Sequence, residues 1–312
     1  MNEHKPIIIT GQTGTGKTSL ALEIAEIAYA ELISADSRQI YTGLDIGTGK
    51  FDTPTELTLN QGKWYLKGNR IHLINCISPK QKYSAGEFAD DARNIITHSN
   101  KQQIVVGGTG FYIKSLIDPD ETVSVPLNKQ IRDLYDHREQ SPELVSELQK
   151  ILNQTDPDKL ISMNNSDRNN PRRLVRAIEV AEWKKQNSFT IQHKLNTRAI
   201  IGLKASPEML TEKITRRVHE MMEMGYEAEV KKLVEEYSWD APGMQTIGYK
   251  EWKDYFEEKI SIRELIQQII TAHLHYARRQ MIYLKRLPDI KWFNIADASW
   301  QQDAIEYCKS DH

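Results

Sequence analysis

The sequence predicts an α/β fold, in which a parallel sheet has helices on both faces and an all-helical insertion interrupts the chain. Short apolar runs alternate with helix-like segments up to about residue 118, which is typical of strands joined by helical crossovers. Only helical signals occur from Leu127 to Gln186, and a strand-like run returns at Ala199–Leu203. We therefore expect a core formed by residues 1–118 and 199–312, with a helical insertion at 119–198.

The elements of the core follow from runs of apolar residues and from helix-ending signals. The predicted strands are Ile7–Thr10, Leu32–Ala35, Ile71–Ile74, Ile104–Val106, Ala199–Leu203 and Ile290–Phe293. The predicted helices are Ser19–Tyr29, Ser84–His98, Phe111–Leu116, Pro207–Met224 and, as one helix or two, Ser261–Leu287. Ser84 and Glu87 have the spacing of a capping box, and Gly225 is placed to end the helix before it. In the insertion, Asn170-Pro171 predicts a helix start.

Composition limits the class of protein. The chain has 312 residues, of which 39% are hydrophobic and 27% charged, so a soluble globular protein is expected. Its net charge of -2 provides no overall attraction to nucleic acid, so any such site must be a local patch. Two cysteines without a CxxC motif make a disulfide framework or a cysteine zinc site unexpected, and they favour the cytoplasm. No signal peptide or membrane span is expected.

A glycine-rich loop is the strongest chemical signal. The stretch "GQTGTGKT" follows a predicted strand and precedes a predicted helix, which is the context of a phosphate-binding P-loop and predicts a P-loop NTPase-like core. Backbone amides and the helix dipole would hold phosphate oxygens, Lys17 would reach the outer phosphates, and Thr18 could bind Mg²⁺. The candidate ligand-binding residues are Gly11, Thr13, Gly14, Thr15, Gly16, Lys17 and Thr18. The loop predicts a phosphorylated ligand without identifying it.

A carboxylate follows the second predicted strand. The carboxyl ends of parallel strands face the ligand crevice, so Asp36, Thr109 and the phosphate loop should converge on one site. The strand Ile104–Val106 ends in Gly-Gly-Thr and lacks the carboxylate that usually organises Mg²⁺ in P-loop NTPases. Helix capping is an alternative role for Asp36, although Ser37 could also cap.

Motifs along nearly the whole chain resemble those of the bacterial tRNA dimethylallyltransferases, which are tRNA isopentenyltransferases. Besides the phosphate loop, they are "LISADSRQIYTGLDIGTGK", "YSAGEFADDA", "VVGGTGFYIKSL", "NPRRLVRAIEV", "MGYEAEV", "IGYKE" and "RRQMIYLKR". The resemblance implies transfer of a dimethylallyl group to N6 of the adenosine 3′ to the anticodon, in tRNAs that read codons starting with U. It also implies that the loop holds the diphosphate of dimethylallyl diphosphate, with Mg²⁺, rather than a nucleotide.

The resemblance assigns roles to individual residues. Asp36 matches the general base and Thr109 its hydroxyl companion, while Arg217 matches a diphosphate-binding arginine, with Arg216 as the alternative. The residues that match tRNA-contacting segments for the anticodon stem-loop are Asp36, Ser37, Arg38, Gln39, Arg132, Arg172, Arg173, Arg176, Gln245, Thr246, Gly248, Tyr249, Lys250, Arg278, Arg279, Gln280 and Lys285. A monomer is expected. Each charged helix face among these segments could instead be only solvated.

The chain also departs from the family pattern. Gln12 replaces a proline, Asn75 stands at an aspartate position, and 63–69 forms an additional hairpin-like insertion. His273 and His275 are interpreted as surface or RNA-facing residues rather than zinc ligands. Three alternatives are weighed from the sequence: an adenylate isopentenyltransferase that acts on free AMP, ADP or ATP, a small-molecule P-loop kinase, and a non-catalytic RNA-binding protein that kept the fold.

Overall fold

The computed structural model describes residues 5–135, 138–187 and 194–310. The chain forms two compact units, one made of Met1–Ile117 with Leu195–His312 and the other of Asp118–Lys194. The second unit ends four residues earlier than the predicted insertion, because the backbone N–H of Leu195 already donates to the carbonyl of Ile117, at 3.0 Å, in the first unit.

The first unit is built on one mixed sheet. Its strands are β1 (Ile7–Gly11), β2 (Glu31–Ser34), β3 (Leu57–Asn60), β4 (Lys63–Leu66), β5 (Asn69–His72), β6 (Gln103–Val106), β7 (Ala199–Lys204) and β8 (Lys291–Asn294). They lie in the order β3-β4-β5-β2-β6-β1-β7-β8, parallel from β5 to β8. The predicted hairpin-like insertion is confirmed and extends further, since β3, β4 and β5 form an antiparallel meander. The sequence did not predict β3, because polar residues occupy half of it.

Helices cover both faces of this sheet, which confirms the predicted fold class. The first part of the first unit contains α1 (Lys17–Ala28), α2 (Ala85–His98) and α3 (Gly110–Ile117). The second unit contains α4 (Glu121–Ser124), α5 (Lys129–Tyr135), α6 (Pro142–Thr155), α7 (Pro157–Ser162), α8 (Asn165–Arg168) and α9 (Pro171–Gln186). The chain then returns to the first unit and forms α10 (Pro207–Glu223), α11 (Tyr226–Glu236), α12 (Trp252–Phe256), α13 (Ile262–Leu284) and α14 (Trp300–Lys309). A short 3-10 helix, Pro54–Glu56, precedes β3.

Alternation along the strands divides the core into two layers. Ile8 and Ile33 lie in the layer that includes α2, α3, α10 and α13, whereas Ile7, Ile9 and Leu32 lie in the layer that includes α1 and α14. Successive strand residues point to opposite faces, so apolar residues at every strand position are what a sheet buried on both faces requires. This burial fixes the carboxyl ends of β1, β2 and β6 beside one another.

Helix ends agree with the capping signals of the sequence. The predicted capping box is present, with Ser84 and Glu87 each accepting the other's backbone N–H. The helix predicted over Ser261–Leu287 is a single helix, α13, and Gly225 has a left-handed φ of 93° after α10. No helix in the described part of the chain is long and apolar enough to cross a membrane.

The second unit is all-helical in the residues that the structure describes, as predicted; residues 136 and 137 of the predicted helical stretch lie outside them. Its core joins Leu144, Leu148 and Leu152 of α6 to residues of α9, including Leu174 and Ile178. These positions recur every three or four residues, so each helix buries one stripe. The helix start predicted at Asn170-Pro171 is confirmed by the Asn170 side chain, which accepts the N–H of Arg173.

Candidate active site

The phosphate loop joins β1 to α1, as the sequence predicts. Gly14 and Gly16 have φ values of 80° and 83°, a left-handed conformation that favours glycine. The hydroxyl of Thr15 and the ammonium of Lys17 both donate to the carbonyl of Gln12, each at 2.7 Å. The loop is thereby folded over the N-terminus of α1, where unpaired amides and the helix dipole favour an anion.

Gln280 of α13 holds this loop from the opposite side. Its side-chain Oε1 accepts the N–H of Thr13 at 2.8 Å, and its Nε2 donates to the carbonyl of Gly108 at 2.9 Å. The side chain is buried, and both ends of its amide bond protein groups. The residue therefore clamps the phosphate loop to the segment that follows β6, a role that its predicted assignment to tRNA binding did not include.

Asp36 follows β2 and lines the cavity next to the phosphate loop. One carboxylate oxygen accepts the N–H of Arg38 at 2.9 Å, so the local capping role that the sequence left open is also present. Thr109 accepts the N–H of Ser37 at 3.0 Å and donates to the Ser37 hydroxyl at 3.3 Å. Among the described residues, Asp36 lines the cavity and Thr109 does not; Thr109 fixes the backbone next to the carboxylate.

The cavity has a volume of about 350 Å³. The phosphate loop, α10 and the segment 48–52 form much of its wall. Its cationic lining residues are Lys17, Lys50, Lys67, Lys213, Arg216 and Arg217, and its anionic ones are Asp36, Asp52, Glu56 and Glu220. A phosphorylated ligand bound in this cavity would lie near cations from several elements of the fold and near the Asp36 carboxylate at the end of β2.

Two of these cations are partly buried. Burial lowers the pKa of Lys17 to about 8, with Asp36 acting to raise it and Arg217 to lower it further. Burial also lowers the pKa of Arg217, against the influence of Asp52 and Asp36, and its guanidinium donates to the carbonyl of Gly49 at 3.1 Å. Desolvated cations attract a multivalent anion strongly, because little water screens the charges.

Arg216, the alternative suggested from sequence, has a different environment. Its side chain is 60% exposed and pairs with Glu220 of the next helical turn at 3.7 Å. Both arginines line the cavity, but only Arg217 is held against the backbone of the opposite wall, at Gly49. The structure therefore favours Arg217 as the anion-binding arginine.

A buried carboxylate that the sequence gave no reason to single out shapes the opposite wall. Glu229 of α11 accepts the backbone N–H groups of Asp45, Ile46 and Gly47 at 3.1, 2.8 and 3.3 Å. The Tyr249 hydroxyl donates to Glu229 at 2.5 Å and accepts the N–H of Gly47 at 3.0 Å. Burial raises the pKa of Glu229. The contacts with residues 45–47 span more than 180 positions, so no local pattern could indicate them.

The departure at Asn75 has a structural explanation. Its side-chain oxygen accepts from the ammonium of Lys50, which also donates to Asp45 and to the carbonyl of Tyr41, each at 2.6 Å. Asn75 has a φ of 52°, a left-handed conformation that asparagine tolerates. Lys50 is fully buried, and burial lowers its pKa while Asp45 acts to raise it. Asn75 therefore gives the Lys50 ammonium a neutral oxygen acceptor in addition to the Asp45 carboxylate.

Several predicted tRNA-binding residues of the first unit are buried. Thr246 and Tyr249 are 1% and 0% exposed, and Gly248 is buried with its N–H donating to Glu251, so these three predicted tRNA contacts do not lie on the surface of this structure. The Gln39 side chain bonds Ser34 and the carbonyls at Thr48 and Gly49. The predicted residues that remain exposed are Gln245, Lys250, Arg278, Arg279 and Lys285, while Ser37 and Arg38 are half-buried.

The structure divides the arginines predicted to bind RNA in the second unit into two groups. The Arg176 guanidinium donates to the carbonyls of Thr122, Val125 and Pro126 and to Glu179, a carboxylate that also pairs with Arg132 at 2.7 Å. Arg132 and Arg176 therefore act as structural cations around the buried Glu179, and their predicted contact with RNA stays a prediction. Arg172 and Arg173 are exposed on α9, the latter paired with Asp167.

His273, which the sequence placed on the surface or facing RNA, is partly buried, with its Nε2 inaccessible to solvent. The residue lines a second, smaller cavity, which shares Thr13, Asp36, Thr48 and Arg217 with the larger one. His275, two positions later on the same helix, is exposed. Among the described residues, no group of three or more His, Cys, Asp or Glu side chains could hold a metal ion by itself.

A comparison with protein families gives a match over most of the chain. The family model described as IPP transferase matches residues 39–287. This range contains Asp45, Glu229 and Gln280 as well as Arg217, and it starts after the phosphate loop and Asp36.

Curated proteins and solved structures give full-length similarities. A tRNA dimethylallyltransferase of Bacillus mycoides is 32% identical over 98% of this chain and 95% of its own length. A crystal structure of a tRNA isopentenylpyrophosphate transferase from Bacillus halodurans superposes with a TM-score of 0.68, at 28% identity, over 98% of this chain and 95% of the other. A crystal structure of a eukaryotic dimethylallyltransferase acting on tRNA gives a TM-score of 0.73 at 25% identity, over 96% of this chain and 77% of the other.

Proposed function

This chain belongs to the IPP transferase family, and from that premise we propose that it is a tRNA dimethylallyltransferase. The donor is dimethylallyl diphosphate. The acceptor is N6 of the adenosine 3′ to the anticodon, in tRNAs that read codons starting with U. The observation that supports this most directly is the placement of one carboxylate, Asp36, in a cavity that also presents the phosphate loop and Arg217.

Asp36 is the proposed general base. The exocyclic amine of adenine is a weak nucleophile, because its lone pair is delocalised into the ring, and a carboxylate that accepts its proton assists attack. The new bond joins N6 to C1 of the dimethylallyl group, while the bond from C1 to the diphosphate oxygen breaks with its electrons. One Asp36 oxygen is fixed by the N–H of Arg38, and Thr109 holds the neighbouring residue, so the base has a defined position.

The leaving diphosphate gains negative charge as the C1–O bond breaks. The amides of the phosphate loop, the Lys17 ammonium and the Arg217 guanidinium would stabilise this charge, since they are already positioned and desolvated. Gln280 and Glu229 support them indirectly, by fixing Thr13 and the segment that carries Gly49. Such positioning matters because a displacement of about 1 Å at a reacting group can cost on the order of 100-fold in rate.

Mg²⁺ fits this site through the substrate rather than through a protein cage. The Thr18 hydroxyl lies in the cavity wall at the phosphate loop, and Mg²⁺ is commonly held by one or two protein oxygens together with phosphates and water. When bound, the ion would neutralise part of the diphosphate charge. Thr18 is the proposed protein ligand.

Binding of the tRNA requires local basic surfaces, since the net charge is -2. The exposed arginines of α13, Arg278 and Arg279, are proposed to contact the backbone of the anticodon arm, and so are Arg172 and Arg173 of α9. Such phosphate contacts orient the RNA without reading its sequence. The target adenosine must leave its stack to reach Asp36. A monomer acting in the cytoplasm, where tRNA is modified, completes the proposal.

A transfer assay tests this function. Purified protein, Mg²⁺ and labelled dimethylallyl diphosphate are incubated with an unmodified tRNA that reads codons starting with U, and separately with AMP. The same tRNA with guanosine at the target position serves as the control acceptor. Label on the first tRNA alone is the expected result.

The other outcomes separate the alternatives. Label on AMP and none on tRNA would contradict the proposal in favour of an adenylate isopentenyltransferase. No label on any acceptor, together with a thermal stabilisation by ATP and none by dimethylallyl diphosphate, would favour a kinase, because a ligand that binds only the folded state raises its melting temperature.

A further inference from the structure

One aromatic side chain close to the proposed reaction centre is exposed. Phe111 is the second residue of α3 and lies two positions after Thr109, and it is 45% exposed. The other apolar residues of α3 are all buried. A single exposed apolar side chain is common on protein surfaces, so exposure by itself indicates no function. The surroundings of Phe111 are what give its exposure a meaning.

The Phe111 ring is held in place by α13. Its ring centroid lies 6.4 Å from that of Tyr283, and the two ring planes meet at 83°, which is an edge-to-face contact. Gly110 brings the start of α3 directly against the same tyrosine, since a Cβ atom at this glycine would lie 2.5 Å from the Tyr283 ring. The backbone and one side of the Phe111 ring are therefore fixed, while nearly half of the residue faces solvent.

Tyr283 connects this ring to the reaction centre. Tyr276 lies two turns earlier on the same face of α13, which corresponds to about 10 Å along the helix axis. Burial and the charge of Asp36 raise the pKa of Tyr276 to about 12, whereas hydrogen bonds with Thr109 and Gln280 act to lower it. Tyr276 is therefore beside the proposed base and its companion hydroxyl, and the row of rings runs from there to the surface at Phe111.

Cations accompany the exposed end of this row. Arg279 and Arg286 lie one turn before and one turn after Tyr283, and both are exposed, as are Arg278 and Lys285. The Arg279 guanidinium also lies over the Tyr276 ring, 5.9 Å from its centroid. Aromatic rings interleaved with cations are typical of surfaces that bind single-stranded nucleic acid, because the rings stack on bases and the cations attract the backbone. The positive charge favours RNA over an apolar protein partner.

The inference rests on the proposed function and concerns how the RNA is held during transfer. When the target adenosine leaves its stack to reach Asp36, the neighbouring base in the anticodon loop loses a stacking partner. That neighbour stays at the protein surface, since only the target base enters the site. We propose that the Phe111 ring stacks on the base adjacent to the target adenosine and replaces the face that the adenosine vacates.

The experiment combines protein variants with tRNAs that lack one base. kcat/KM for tRNA is measured for the wild type, Phe111→Ala, Phe111→Leu and Phe111→Tyr. The acceptors are the intact tRNA and two versions with an abasic nucleotide, on the 5′ or on the 3′ side of the target adenosine. Ile262→Ala is the matched control, because Ile262 is a 40% exposed apolar residue at the opposite end of α13. Urea unfolding compares the stability of all variants.

With intact tRNA, Phe111→Ala should lower kcat/KM by roughly 10-fold or more, chiefly through KM, and Phe111→Leu should lose most of the same amount. Phe111→Tyr should stay within about 2-fold of the wild type, because it keeps the ring that stacks. Ile262→Ala should equal the wild type. On one of the two abasic tRNAs, the wild type and Phe111→Ala should differ by less than about 2-fold, because the base that the ring contacts is absent.

Three results would overturn the inference. They are a wild-type kcat/KM for Phe111→Ala on intact tRNA, a wild-type value for Phe111→Leu, and a loss in Phe111→Ala that persists undiminished on both abasic tRNAs. If Phe111→Ala fails to fold, the comparison of Phe111→Leu with Phe111→Tyr on the same acceptors decides the question. Absence of transfer to intact tRNA by the wild type overturns the proposed function as well, which distinguishes the two failures.

Discussion

Replacing Gln280 by leucine should weaken the phosphate loop and leave tRNA binding nearly unchanged. The substitution keeps an apolar stem of similar size but removes the acceptor of the Thr13 N–H and the donor to the Gly108 carbonyl. The carbonyl becomes unpaired in a buried position, whereas the Thr13 amide can still reach the cavity. An unpaired buried group costs about 1–3 kcal/mol and a lost hydrogen bond about 1 kcal/mol, so we expect unfolding to be easier by about 2–4 kcal/mol.

Urea unfolding and steady-state kinetics measure the two effects separately. The free energy of unfolding is extrapolated from the urea dependence, with Gln268→Leu, an exposed glutamine of the same helix, as the control. In the transfer assay, KM for dimethylallyl diphosphate should rise by roughly 10-fold, because the Thr13 amide is no longer held in the loop. Gln280→Glu should also be defective, since its carboxylate faces the Gly108 carbonyl without a proton to donate.

The opposite kinetic pattern would refute this reasoning. If Gln280→Leu raises KM for tRNA while KM for the diphosphate and the stability both stay at wild-type values, the side chain contacts RNA as the sequence suggested. A loss of stability equal to that of Gln268→Leu would likewise show that the two hydrogen bonds contribute little.

Three further predictions concern other parts of the chain. Asp36→Asn should lower kcat by a factor of roughly 10²–10⁴ with little change in the KM of either substrate, because the asparagine oxygen still accepts the Arg38 N–H but is not basic. A near-normal single-turnover rate would refute the assignment of Asp36 as the base. The pKa of Lys17 is lowered to about 8, so its charge is present below that pH and lost above it. Affinity for diphosphate, measured by calorimetry, should therefore fall as the pH rises through about 8, and Lys17→Met should remove this part of the dependence. Arg176→Ala should destabilise the protein by about 3 kcal/mol, since it removes one partner of a buried ion pair. Arg172→Ala should leave stability unchanged and weaken tRNA binding in low salt. Equal urea midpoints for the two variants would contradict this distinction.

Local signals in the sequence were sufficient for most of the fold. The apolar runs of β1, β2, β6 and β7 occur where the structure places them, because strands buried on both faces need continuous apolar residues. Capping residues located the starts of α2 and α9 for the same local reason. The strand β3 was missed, because it has only four residues, half of them polar, and its side chains are largely exposed.

The sequence could not show which of the residues assigned to RNA are buried in the structure. In the sequence, a glutamine or arginine in a basic helical segment has the composition of an exposed phosphate-binding residue. Whether Gln280 meets RNA or the phosphate loop depends on which face of α13 packs inward, and this is decided by contacts across 267 positions. The same applies to Arg176, whose carbonyl partners lie about 50 positions away. Composition alone cannot tell a solvated cation from one that satisfies buried carbonyls.

The sequence by itself determined the phosphate loop, the carboxylate after β2 and the two-unit organisation, because each depends on residues that are neighbours along the chain or on the general geometry of parallel sheets. Only the tertiary structure decided which side chains complete the site. It brought Gln280 to Thr13, Glu229 to the segment before Gly49, and His273 to the cavity beside Asp36. The physical reason is that hydrogen bonds and burial are set by distance in space, and the sequence specifies that distance only through the packing of the whole unit.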